Sequence, residues 1–152
     1  MPTEEGGLQF QVVDTSNLSD FKKLCLILFP VRYPPSFFKS LIAGKMDSGD
    51  SCGGSLGYAD GRPIGLVSWS HSDGRSHMLN LGVLAQHRRK GIGSRLLEFI
   101  PPKPVISLYV QSSNQEALDF YESKGFKKIR LEKSYYRRLD PPDAYFLEQY
   151  RD

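Results

Sequence analysis

Hydrophobic and polar positions along this 152-residue chain change their period several times, and each change marks an element. Leu8, Phe10 and Val12 alternate with Gln9 and Gln11, the two-residue rhythm of a strand with one buried face. Asp14-Thr15-Ser16-Asn17 then offers several N-caps for a helix reaching about Leu28. Its apolar residues Leu18, Phe21, Leu24, Cys25 and Leu28 recur three and four positions apart, and Pro30 stops it. Phe29-Pro30-Val31-Arg32-Tyr33-Pro34-Pro35 predicts an apolar, proline-stiffened turn before a shorter helix that Ser36 caps. The polar, glycine-rich stretch from Lys45 to Gly54 reads as a loop. Strands over Ser55–Ala59 and Pro63–Ser70 flank a hairpin turn, Ser72-Asp73-Gly74 marks a second, and a strand over His77–Leu84 completes an antiparallel meander.

The second half repeats the alternation of strand and helix. An amphipathic helix over Ser94–Ile100 is halted by Pro101-Pro102, and Val105–Val110 is an apolar run of strand length. Ser113-x-x-Glu116 has the form of a capping box for a helix running to Lys124, with Gly125 as a left-handed cap. Phe126–Glu132 and Ala144–Gln149 read as a terminal strand pair. With no internal repeat and no low-complexity tract, the pattern predicts one α/β (α+β) domain over residues 1–152, with about seven strands and about four helices.

Composition narrows the function classes. A hydrophobic content of 39% supplies a core without metals or crosslinks. The 20 Lys+Arg against 17 Asp+Glu leave a net charge of only +3, and the basic residues fall in short clusters, Arg88 to Lys90 and Arg137-Arg138. That pattern predicts local anion sites and no direct nucleic-acid partner. Cys25 and Cys52 lack neighbours at metal-ligand spacing and read as reduced structural thiols, with no metal expected. Met1 to Gly7 has neither a basic nor an apolar leader segment, and no run approaches a membrane span, so a cytoplasmic protein, also present in the nucleus, is expected.

The chemistry concentrates at Arg88-Arg89-Lys90-Gly91-Ile92-Gly93-Ser94, between a predicted strand and a predicted helix. At such a turn unpaired N–H groups converge on an anion, glycines let the backbone approach it, and basic side chains add positive potential. The same residues also suit a plain turn with solvated basic side chains. Neither a P-loop nor a G-x-G-x-x-G fingerprint is present.

Arg88-x-x-Gly91-x-Gly93 after an antiparallel strand, with Asn114-x-x-Ala117-x-x-Phe120-Tyr121 and Gly125-Phe126, resembles the GNAT acyltransferase superfamily. Phe29-Pro30-Val31-x-Tyr33, Leu81-Gly82-Val83-Leu84, Leu108-x-Val110-Gln111 and Tyr135-Tyr136-x-Arg138 resemble, more narrowly, the NatE-type N-alpha-acetyltransferases. The resemblance implies the GNAT fold, a mixed, mostly antiparallel sheet, and transfer of acetyl from acetyl-CoA (CoA) to protein N-termini, chiefly methionine before an apolar second residue. It carries cofactor contacts to Leu81, Gly82, Val83 and Leu84, to Arg88, Arg89, Lys90, Gly91, Ile92, Gly93 and Ser94, and to Asn114 and Tyr121, the tyrosine lying near the CoA sulfur. It also implies that the two central strands splay beyond Leu84. The substrate groove falls on Phe29, Pro30, Val31, Tyr33 and Leu79 and on Tyr135 and Tyr136. Taken without the family, Phe29 and Val31 read first as core residues at a helix end. The resemblance further implies a peptide or protein N-terminus as substrate and association with a scaffold subunit at the ribosome.

One departure stands out. The family pairs a tyrosine on its fourth strand with a histidine on its fifth, whereas here the fourth carries His77 and the fifth Tyr109. An α-amino group, with a pKa near 8, needs only a weak base. His77 is therefore expected as base or relay, with Tyr109 orienting water or the amine. A lysine or small-amine acetyltransferase is the rival enzyme, although no dense acidic cluster accompanies the groove residues, and a non-catalytic acyl-CoA-binding subunit is the rival of another class.

Overall fold

The computed structural model describes residues 7–151. In chain order the elements are β1 (Leu8–Val12), α1 (Leu18–Leu28), α2 (Pro35–Ala43), β2 (Ser51–Ala59), β3 (Arg62–Ser72), β4 (Arg75–Val83), α3 (Ile92–Leu97), β5 (Val105–Gln111), α4 (Gln115–Ser123), β6 (Lys127–Glu132) and β7 (Ala144–Tyr150). The strands form a seven-stranded mixed sheet in the order β1-β2-β3-β4-β5-β7-β6. β4 and β5 pair in parallel, whereas β1–β2, β2–β3, β5–β7 and β6–β7 are antiparallel. The chain forms two compact units. One comprises residues up to Ser72 with Met78–Pro101, the other Asp73–His77 with the residues from Pro102 onward, and β4 runs through both.

In the first unit the stripe foreseen on α1 packs inward. Phe21 and Leu24 are almost fully enclosed, in one cluster with Val13, Leu56 and Leu66. The helix begins after Asn17, whose side chain does not cap it. Its Oδ1 accepts instead from the Asp14 N–H at 2.9 Å and its Nδ2 donates to the Val12 carbonyl at 3.0 Å, tying the end of β1 to the helix start. In α2 Pro34 is the N-cap and Pro35 the first helical residue, so Ser36 lies inside the helix and caps nothing. A proline can start a helix because the N–H it lacks would have had no partner there.

Several other boundaries depart from the sequence pattern. The loop expected through Gly54 ends at Asp50, because Ser51–Gly54 pair with Ser68–His71 of β3. Glycine suits the close neighbours there. A Cβ on Gly53 would meet the Trp69 ring at 3.1 Å, and one on Gly54 would meet the Val67 carbonyl at 3.1 Å and Val13 at 3.2 Å. α3 is a short helix starting at Ile92, two residues before the expected Ser94.

The second unit is built on β5, β6, β7 and α4, with Ile106, Leu108, Leu118 and Leu147 at 1% exposure or less. Asn114, and not Ser113, caps α4, accepting from the Ala117 N–H at 3.2 Å. Gly125 follows the helix with φ +92°, the left-handed conformation expected. The parallel ladder covers only Arg75–His77 and Val105–Ser107. It therefore ends at His77, well before the Leu84 position at which the resemblance put the splay. β5 meanwhile keeps its antiparallel ladder to β7 along its whole length. Among the described residues no helix is long and apolar enough to cross a membrane.

Candidate active site

In the first unit, the end of β4 leads through a single 3-10 turn (Ala85–His87) into the basic loop. Arg88 folds back, its Nε donating to the Val83 carbonyl at 2.9 Å, which anchors the loop to the strand. Arg89 at φ +65° and Gly91 at φ +77° both adopt left-handed backbone, and a Cβ on Gly91 would meet nothing within 4 Å. Arg95 makes the first backbone bond of α3, to the Gly91 carbonyl at 3.1 Å. The N–H groups of Ile92, Gly93 and Ser94 precede that bond, so the intrahelical ladder does not use them. The Ile92 side chain is 2% exposed and pins the segment to the core. This backbone, rimmed by the exposed side chains of Arg89 and Lys90, fits a phosphorylated ligand such as CoA.

The same unit holds the proline-stiffened turn. Phe29 meets Tyr33 edge-on at 6.2 Å, and Tyr33 stacks on Phe37 at 4.7 Å. A Cβ on Gly82 would come within 3.0 Å of Leu28 Cδ1 and of Phe29 Cζ, so the absence of a side chain at Gly82 is what lets the Phe29 ring lie against β4. Val31, Tyr33, Leu79, Leu81 and Leu84 are half-buried and Pro30 is exposed, while Val83 is buried. Of the apolar residues predicted for substrate, Phe29 and Tyr33 meet each other and pack against the core cluster while keeping accessible faces.

The second unit brings the exchanged pair together. The His77 and Tyr109 rings meet edge to face at 5.6 Å, and Tyr135 stacks on Tyr109 at 4.1 Å with 15° between planes. Tyr136 lies edge-on to Tyr135 at 4.9 Å, and Phe146 flanks Tyr109 at 4.9 Å. Burial, and then the Arg75 charge, hold the His77 imidazole below its ordinary pKa. Its Nδ1 lies 2.8 Å from Ser107 Oγ. Arg75 itself pairs with Glu148 at 2.6 Å, and Glu148 takes a second bond from the Tyr150 hydroxyl at 2.6 Å. Tyr121 is buried, and that burial, followed by the nearby Tyr136 hydroxyl, pushes its phenol pKa up, so it is a neutral donor at any working pH. Asn114 is exposed and committed to its helix cap.

Comparison with known proteins agrees with this geometry. Residues 54–128 match the model of the acetyltransferase (GNAT) domain. The chain is 31% identical to N-alpha-acetyltransferase 50 of Danio rerio, over 95% of this chain and 89% of that protein. It is 30% identical to the probable N-acetyltransferase san of Drosophila melanogaster, over 90% and 77%. The chain belongs to the GNAT acetyltransferases, NatE type. Among solved structures, Arabidopsis thaliana Naa50 in complex with the bisubstrate analogue CoA-Ac-MVNAL superposes with a TM-score of 0.82 at 29% identity, covering 95% of this chain and 99% of that one.

Within this NatE-type acetyltransferase, the residues that gather in each unit are mostly those to which the family resemblance carries a site role. Ser107, Phe146 and the Arg130 guanidinium, which lies 4.2 Å from the Phe146 ring centre, were missed. A usable signal existed for Ser107. It stands two residues before Tyr109 on a strand, hence on the same face. Phe146 and Arg130 come from strands whose register the sequence does not reveal.

Proposed function

We propose that this acetyltransferase transfers acetyl from acetyl-CoA to the α-amino group of polypeptide chains, preferring an initial methionine followed by an apolar residue. The observation that carries the preference is the wall of Phe29 and Tyr33 beside Gly82, where a flexible thioether side chain finds apolar faces. The Arabidopsis relative was solved with an analogue whose peptide begins Met-Val, which supports this reading.

When bound, acetyl-CoA supplies the thioester whose C–S bond breaks as the amine nitrogen forms the new amide. The chain's part is to hold, orient and move protons. N–H groups of Ile92, Gly93 and Ser94 bind phosphate, with Arg89 and Lys90 contributing charge at the rim. Tyr121, kept protonated by burial, is the group that would donate a hydrogen bond to the thioester sulfur of bound acetyl-CoA. The Tyr135 and Tyr136 hydroxyls bind the peptide backbone. The proton lost by the ammonium leaves past His77 and Tyr109, and the rate gain rests mainly on orientation. We place the reaction in the cytoplasm and nucleus, a reading that the two buried, free thiols of Cys25 and Cys52 support. A scaffold subunit at the ribosome remains part of the proposal, with Leu26 and Ile27, 80% and 67% exposed on α1, as apolar side chains on offer.

The test is CoA release with Met-Leu peptides, with N-terminally blocked peptides containing lysine, and with a polyamine. Release confined to the free N-terminus is expected. Release with the blocked peptide or the polyamine would replace this reading with a lysine or small-amine acetyltransferase, and tight CoA binding without turnover would replace it with a non-catalytic subunit.

A further inference from the structure

Ser107 is 1% exposed on β5, and the sheet register sets it between His77 of β4 and Glu148 of β7. Its hydroxyl lies 2.8 Å from His77 Nδ1, a contact that can be made in two ways. Either the ring N–H donates to Oγ, or the hydroxyl donates to Nδ1. The two leave different groups unsatisfied. Among the described residues His77 is the hydrogen-bond partner of this hydroxyl, and Glu148 accepts instead from Arg75 and Tyr150. If the ring donated, the buried hydroxyl hydrogen would have no acceptor, at a cost of about 1–3 kcal/mol. If the hydroxyl donates, the buried Ser107 hydrogen is satisfied, and His77 carries its proton on Nε2, an atom that is not among the buried ones lacking a partner.

We infer that Ser107 is a positioning residue, which donates to Nδ1 and thereby fixes neutral His77 as the Nε2–H tautomer. The inference rests on the reading of His77 as a site residue. It also changes the role expected from the sequence, because Nε2 then offers a hydrogen and no lone pair. His77 acts as a donor that orients water or the substrate, and the ammonium, with a pKa near 8, passes its proton to water. Protonating His77 would place a hydrogen on Nδ1 and force the Ser107 hydroxyl to turn away from its partner. Burial and the Arg75 charge oppose that protonation as well.

The test is imidazole 15N NMR on the full-length, uniformly labelled protein, with the resonances of His77 separated from those of His71 and His87 by comparison with His77→Gln. The expected wild-type spectrum shows a protonated Nε2 and an unprotonated Nδ1 at neutral pH. Ser107→Ala should yield a mixture of tautomers and lower kcat about tenfold with little change in KM for acetyl-CoA, the scale of losing one oriented contact. Ser107→Thr should restore the single tautomer. A wild-type His77 protonated on Nδ1 overturns the inference, as does an Ala variant with an unchanged spectrum. The wild-type spectrum decides the question even if a variant fails to fold. It is also independent of turnover, so a chain inactive on every peptide would refute the proposed function and leave the tautomer result standing.

Discussion

Replacing Phe29 with alanine tests the link between the apolar wall and substrate choice. The ring is half-buried, lies against Gly82, meets Tyr33 edge-on and packs on the edge of the cluster around Phe21 and Leu24, so its loss removes one side of the wall together with some packing at that edge. Burying a methionine side chain is worth about 1.5–3 kcal/mol. Phe29 is one of two aromatic faces, so about half, ~0.75–1.5 kcal/mol, is its share, or about a 4- to 13-fold loss in kcat/KM. The assay compares a Met-Leu peptide with one beginning Ser-Leu, well below the melting temperature of the variant. Only the methionine peptide should lose the full factor, since a serine side chain has little apolar surface to contribute. An equal loss for both peptides would refute the reasoning, because it would mean that Phe29 supports the fold or the cofactor segment and not the first side chain.

Gly82→Ala should move the same ring from the opposite direction. Its Cβ meets two side-chain ends that can yield, so stability should fall by no more than about 1 kcal/mol while KM for the methionine peptide rises, as melting and steady-state kinetics would show. Gly91→Val should weaken acetyl-CoA binding severalfold by calorimetry without steric cause, since space is open but φ +77° is unfavourable for a β-branched residue. Arg75→Met should lower stability by about 1–3 kcal/mol in urea titration. Glu148 is only 7% exposed, but Arg75 is 46% exposed and solvent screens the pair. The same variant should raise the His77 pKa by removing a neighbouring positive charge, measurable by NMR titration. Because that pKa is depressed in the folded state, the protein should lose stability as pH falls below the ordinary imidazole value of about 6.5 and on through the folded value. His77→Gln should flatten that limb of the pH–stability curve, with Arg75, Tyr109, Ser107 and Glu148 left in place around it.

The parts of the fold legible in the sequence were those governed by local periodicity and by glycine and proline. The α1 stripe, the turn at Asp73-Gly74 and the left-handed Gly125 all follow from residues within a few positions of each other. What was missed depended on partners distant in the chain. Ser51–Gly54 look like loop until Trp69, Val13 and the Val67 carbonyl are known to crowd the space that a glycine Cβ would take. Ser36 and Ser113 are good caps by residue type, but Pro34 and Asn114 occupy the cap positions. The site divides in the same way. The basic loop and the proline-stiffened turn are contiguous and were readable, whereas Ser107, Arg130 and Phe146 join the tyrosine cluster only through strand register.

The exchange of histidine and tyrosine becomes intelligible on this basis. A histidine on β5 could be serviced by its neighbours on that strand and on β7, but on β4 the imidazole faces Ser107 across the short parallel ladder and sits two residues from Arg75. Burial and the Arg75 charge favour a neutral ring, and the Ser107 hydroxyl can donate to Nδ1 only while that nitrogen is unprotonated. Tyr109, in turn, gains stacking from Tyr135 and Phe146 that an imidazole would fill less completely. The reaction tolerates this arrangement because its acid–base demand is small. An amine with a pKa near 8 is already partly neutral at physiological pH, so a site that orients it against a thioester does not need a strong base. Exchanging the two residues therefore costs little only if their local partners change with them. A double variant, His77→Tyr with Tyr109→His, should not recover wild-type activity unless Ser107 is also replaced, and full recovery by the double variant alone would show that neither residue depends on its strand neighbours.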